Sequence, residues 1–175
     1  VAAYGVVANL ALMALALFTG LSQGAQPLIS QAYGRGDTPA VRQLCRLALL
    51  VSCLVGLALA LTAQLAAQPL VALFNRDGDP ALAKIAVEGL RIYFWGFLCA
   101  GPNIITAAFL GAAEQPRASF LLSLFRGGVG IAVLVLLLAW LLGITGIWLA
   151  FPVTELLTLF LGLGVSRKVL RAPLP

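Results

Sequence analysis

Five long apolar stretches, separated by short polar turns, constrain this chain more than any other feature. By residue number they run over about 1–32, 47–74, 92–112, 118–142 and 147–165. Each approaches or exceeds the roughly 20 residues needed to cross a hydrocarbon core about 30 Å thick. Inside lipid every backbone N–H and C=O must find its partner within the protein, which leaves helices or a closed β-barrel. Barrel strands alternate apolar and polar residues, and these runs do not. The expected fold is therefore all-α and polytopic, with five transmembrane helices.

Composition closes off the other classes. The chain is 62% hydrophobic and 10% charged, against about 25% charged in an ordinary soluble domain. A core of this size cannot hide so much apolar surface from water, so lipid is expected to solvate most of it. The net charge of +5 comes from residues beside the spans, where membrane proteins carry them. No basic stripe with interleaved aromatics is present, which excludes nucleic acid as a partner. The chain has no histidine and three cysteines, Cys45, Cys53 and Cys99. None forms a C-x-x-C pair, so neither a disulfide framework nor a metal site is expected. No cofactor is expected either. An embedded enzyme is disfavoured by the lack of paired intramembrane acids or any nucleophile–base spacing. The apolar start, Val1-Ala2-Ala3-Tyr4, has no basic segment or cleavage site and does not read as a signal peptide.

The turns are legible. Tyr33-Gly34-Arg35-Gly36-Asp37 ends the first span, and Thr38-Pro39 starts the next helix, with Thr38 as the expected N-cap. Asn75-Arg76-Asp77-Gly78-Asp79-Pro80 is a strong turn. Residues 80–91 form an amphipathic lead-in to the third span. Counting cations by side gives Arg35, Arg42, Arg46, Arg117, Arg126, Arg167, Lys168 and Arg171 against Arg76, Lys84 and Arg91. The richer side is expected to be cytoplasmic and to hold the C-terminus. Val1 then lies outside, and one more helix before it would return the chain's start to the cytoplasm. Tyr93, Trp95, Trp140 and Trp148 fall near the opposite ends of the last three spans and read as an interfacial belt.

Polar residues within spans are functional candidates by default. The first span carries Asn9, Ser22, Gln23 and Gln26, with Pro27 one turn after Gln23. Pro27 frees a carbonyl, which Gln23 can satisfy; the other reading has it line a cavity. In the third span, Gly101-Pro102-Asn103 and Thr106 combine an expected kink with a buried amide that needs a partner; the readings are an interhelical hydrogen bond or a cavity wall. Glu155 is the only acid well inside a span, three residues after Pro152. It reads as a proton or cation site, as the partner of Arg126, or as a protonated core residue. Arg126-Gly127-Gly128-Val129-Gly130 reads as a close-packing face or as a segment that bends.

Three stretches together resemble one family. Gln26-Pro27-Leu28-Ile29-Ser30-Gln31-Ala32-Tyr33-Gly34-Arg35-Gly36-Asp37 resembles the second helix and following loop of a lobe of the multidrug and toxic compound extrusion (MATE) transporters. Phe109-Leu110-Gly111-Ala112-Ala113-Glu114-Gln115-Pro116-Arg117 resembles the G-x-x-x-P turn between the fourth and fifth helices of a lobe. Gly146-Ile147-Trp148-Leu149-Ala150-Phe151-Pro152-Val153-Thr154-Glu155 resembles the G-x-W-x-A-x-P-x-x-E start of the final helix. The likeness extends over nearly the whole chain. It implies helices two to six of a C-terminal six-helix lobe, with a first helix and an N-terminal lobe missing.

The resemblance further implies an antiporter in a bacterial inner (plasma) membrane, exporting cationic amphipathic drugs or metabolites in exchange for H+ or Na+. Its cavity set would be Asn9, Gln23, Gln26, Asn103 and Thr106, with Glu155 as the ion-coupling candidate and Pro27, Pro102 and Pro152 as kinks. Its partners would be organic cations, membrane lipid and the absent lobe. Some members carry a coupling acid on the fourth helix of this lobe; here that helix has none after Glu88. The alternative is a flippase of lipid-linked oligosaccharides or peptidoglycan precursors with the same broader fold, whose anionic headgroup wants a basic cavity; only Arg126 offers that charge within a span.

Overall fold

A computed structural model describes residues 2–75 and 78–171, with side chains through Arg167. Val1, Arg76, Asp77 and the side chains of Lys168 and Arg171, named above, lie outside the described residues. Among those described there is no strand, and five helical segments are long and apolar enough to span a membrane: Ala2–Gly34, Thr38–Leu65, Pro80–Ala112, Pro116–Leu142 and Ile144–Arg167.

The first is one helix, α1 (Ala2–Gly34), and the second is α2 (Thr38–Leu65). Asp37, not Thr38, is the N-cap: its carboxylate accepts from the N–H of Ala40 at 3.0 Å. A carboxylate there also faces the positive end of the helix dipole. The helix thus starts at Thr38, where the sequence reading put it, with its apolar part read from 47, and it ends nine residues before 74. It ends at Leu65 because Pro69 lacks an N–H and its ring crowds the carbonyl four residues back. A separate short helix, α3 (Ala67–Ala72), follows. Asp79 then caps α4 (Pro80–Tyr93), accepting from the N–H groups of Ala81 and Leu82.

A 3₁₀ turn, Phe94–Gly96, joins α4 to α5 (Phe97–Ala112). Pro116 starts α6 (Pro116–Leu124), which passes through a π-helical turn, Phe125–Val129, into α7 (Gly130–Leu142). Gly143, at φ 61°, makes the tight turn into α8 (Ile144–Arg171). No residue with a Cβ holds that conformation cheaply.

Helix α5 is the hub: it packs against α1, α2, α6 and α8. Two apolar clusters grip it at different heights. One gathers Val7, Phe18, Leu90, Phe94, Phe97 and Phe151; the other gathers Ile29, Val41, Phe109, Leu110 and Leu122. Along α5, Asn103 falls between them. Elsewhere large apolar side chains point outward, including Leu136 and Leu141 on α7, as a lipid-facing surface requires.

The aromatic belt needs correction. Trp95 and Trp140 are exposed, but Trp148 is buried, stacked on Tyr4 with ring centroids 5.8 Å apart. Gly89 leaves room for its indole; a Cβ there would overlap the ring. Tyr93 stacks on Phe151 at 4.3 Å. These two rings pack helices together instead of sitting at the lipid headgroups.

Candidate functional site: a buried Asn–Glu–Arg cluster beside a polar cavity

Asn103 and Glu155 come from helices interrupted by proline, α5 at Pro102 and α8 at Pro152. Each proline leaves one carbonyl in the previous turn without its helical donor. The Asn103 Nδ2 donates to the backbone carbonyl of Glu155 at 2.8 Å and to its Oε2 at 2.7 Å. The Nε of Arg126 approaches the other carboxylate oxygen, Oε1, at 3.6 Å. At that length the charges attract but no hydrogen bond forms. Both Asn103 and Glu155 are buried, whereas the Arg126 side chain is 21% exposed.

Two groups in the cluster lack partners: the Oδ1 of Asn103 and the Nη1 of Arg126 are buried without a hydrogen bond. Unpaired buried polar atoms are uncommon in folded proteins and carry a desolvation penalty. Thr154 and Thr158, on the same helix as Glu155, are buried too, but their hydroxyls donate to the carbonyls of Ala150 and Thr154.

Arg126 sits in the π-helical turn, which shifts the phase of the side chains that follow. Of the three glycines in this stretch, Gly130 is buried and leaves room for the carbonyl and ring of Phe125 across the π-helical turn, whereas Gly127 and Gly128 do not serve close packing between helices. A Cβ on Gly127 would meet nothing within 4 Å, and one on Gly128 only Leu124 of the same helix. The π-helical turn itself carries no buried residue.

Arg126 and Gly127 line a cavity of about 350 Å³ between α1, α5 and α6, shared with Thr19, Ser22, Gln26, Ser119 and Ser123. The polar residues form two stripes at helical spacing, 19, 22 and 26 on α1 and 119, 123 and 126 on the fourth span. That periodicity was available in the sequence, yet the reading above took only Ser22, Gln26 and Arg126 from it. Ser119 also ties α6 to α5, donating to the carbonyl of Ala107 at 2.8 Å.

The polar sequence candidates separate into four groups. Asn103 and Glu155 bond each other, with Arg126 alongside. Gln26 lines the polar cavity. Thr106 lines a different, largely apolar space of about 300 Å³ between α2, α5 and α8, with its methyl where a Cβ on Gly162 would crowd it. Asn9 and Gln23 are exposed on α1, and Gln23 makes no side-chain hydrogen bond among the described residues. Pro27 is exposed, and Pro102 lines the apolar space. Among the described residues no group of three or more His, Cys, Asp or Glu side chains converges as a metal site would require.

The comparisons with known proteins agree with this architecture. The model of the MatE family matches residues 1–136. A solved structure described as the inward-facing conformation of a multidrug resistance MATE family transporter of the MOP superfamily superposes with a TM-score of 0.82, at 16% identity, over 96% of this chain and 38% of that one. A protein of Shewanella oneidensis named FAD transporter is 30% identical over 161 residues, 90% of this chain and 34% of its own length. The chain belongs to the MatE family and has the helical fold of a MATE transporter lobe. It spans little more than a third of the length of these relatives.

Proposed function

We propose that this chain is the C-terminal lobe region of a secondary antiporter in a bacterial inner membrane, with its C-terminus cytoplasmic, that exports organic solutes in exchange for H+ or Na+. One observation carries the reading. A buried carboxylate, Glu155, lies 3.6 Å from the Nε of Arg126, where two proline-containing helices meet a π-helical turn. Ion and substrate sites of secondary transporters lie where irregular helices meet near the bilayer midplane, and prolines and a π-turn are the irregularities present here. A proton or sodium ion at Glu155 replaces the charge of Arg126, and the π-helical turn gives Arg126 room to withdraw.

For cargo, the first reading is a cationic amphipathic drug or metabolite. A second is favoured by the cavity itself. Arg126 is the only charged residue on its wall, and a relative is named FAD transporter, so an anionic organic solute also fits. The test is export from vesicles carrying the protein, driven by an imposed proton or sodium gradient. Export that stops when the gradient is collapsed supports exchange. Export that persists unchanged without either gradient overturns it.

A further inference from the structure

We infer that the cavity between α1, α5 and α6 is a subsite for a phosphate or carboxylate group on the cargo, gripped by Arg126. This rests on the transport reading and takes up its second cargo class. The donor inventory argues for it. Of the six polar side chains on the wall, two already have their hydroxyls engaged: Thr19 donates to the carbonyl of Leu15 and Ser119 to that of Ala107. The remaining four, Ser22, Gln26, Ser123 and Arg126, make no hydrogen bond among the described residues and keep N–H or O–H groups to offer. None is acidic, so the wall presents donors and one positive charge.

The guanidinium is under-used. Its single ion pair is longer than a hydrogen bond, and although its Nη1 is buried, the side chain keeps 21% exposure through which its remaining N–H groups can meet a ligand. A planar guanidinium presents five N–H donors in a fork that matches a phosphate or carboxylate two at a time. Glu155 is buried and does not line the cavity, so a cargo anion meets the guanidinium on the side opposite the carboxylate that partly balances it at 3.6 Å. Hydroxyls and an amide at helical spacing on two sides complete a cradle. Gly127, with open space where a Cβ would stand, lets the ligand approach the backbone. A volume of about 350 Å³ holds a phosphorylated group with part of the molecule that bears it.

The test measures binding to the purified protein in nanodiscs, using pairs that differ by one phosphate: riboflavin against riboflavin 5′-phosphate, and adenosine against its 5′-monophosphate. The subsite predicts that the phosphorylated member of at least one pair binds tenfold or more tighter. Arg126→Gln should reduce that preference to within twofold. Because Arg126→Gln strands Glu155, Arg126→Gln/Glu155→Gln and Ser123→Ala serve as companions. The double variant should also lose the preference, and Ser123→Ala should weaken phosphate-dependent binding severalfold with the ion pair intact. Equal binding within both pairs, or a preference that survives in the double variant, overturns the proposal. Arg126-dependent binding without gradient-driven export would sink the transport reading and leave the subsite standing. Export of other solutes with no phosphate preference would do the reverse.

Discussion

Removing either member of the Arg126–Glu155 pair should destabilise the protein unequally. The Glu155 side chain is 2% exposed, so Arg126→Gln leaves a carboxylate in a dry site with only the one Asn103 hydrogen bond to its Oε2. Breaking a buried pair in this way costs about 3–5 kcal/mol, and the Asn103 hydrogen bond puts this case near the lower end, about 3 kcal/mol. The reverse change, Glu155→Gln, keeps an acceptor for Asn103 and leaves Arg126 at a polar cavity where it is 21% exposed and can hydrate. It should cost about 1 kcal/mol, the scale of one weakened hydrogen bond. The double variant buries no charge and should also cost about 1 kcal/mol, leaving a coupling of about 3 kcal/mol between the sites. The assay is reversible unfolding in mixed SDS micelles, followed by tryptophan fluorescence, for all four proteins. If the single costs add in the double variant, or if Glu155→Gln is the more damaging change, the ion pair does not hold the site as described.

Other outcomes follow from the packing. Gly56→Ala places a Cβ 2.5 Å from the carbonyl oxygen of Phe97, so α2 must move off α5; a loss of about 1–3 kcal/mol is expected in the same unfolding assay. Trp148→Ala removes a buried ring stacked on Tyr4 and should cost about 3–5 kcal/mol, whereas Trp140→Ala, at an outward-facing site, should stay within about 0.5 kcal/mol. Gly127→Ala meets no neighbour and should leave stability within about 0.5 kcal/mol, while slowing export if the π-helical turn rearranges during the cycle. Stability and initial export rate, measured on the same preparation, separate those two effects.

The membrane fold was legible because length and apolarity suffice to mark a span, and because Gly and Pro mark its ends. The helix containing Arg42 and Arg46 starts at Thr38 as read, but its cap is the carboxylate of Asp37, one residue earlier, and its end was read too late because hydropathy runs on past Leu65. Tyr93 and Trp148 were assigned to the interface because an aromatic near the end of a span has two possible roles. Which one it takes depends on Tyr4, Gly89 and Phe151, far away in sequence. Within the site, Asn103, Glu155 and Arg126 stood out as polar groups among apolar ones, but their mutual contacts needed three separate helices to be placed. Gln23 and Gln26 differ by three residues and equal polarity, yet only Gln26 reaches the cavity. In lipid both faces of a helix are apolar, so hydropathy cannot say which face turns inward. The stripes 19, 22, 26 and 119, 123, 126 carry that information, and they become visible only when small hydroxyl residues are counted with the larger polar ones.

The most direct test of the account is gradient-driven export by the Glu155→Gln variant, reconstituted in proteoliposomes beside the unaltered protein at equal membrane abundance. The account predicts that the variant inserts and folds but no longer responds to an imposed proton or sodium gradient. Export that follows the gradient in the variant as in the unaltered protein would show that Glu155 does not couple transport.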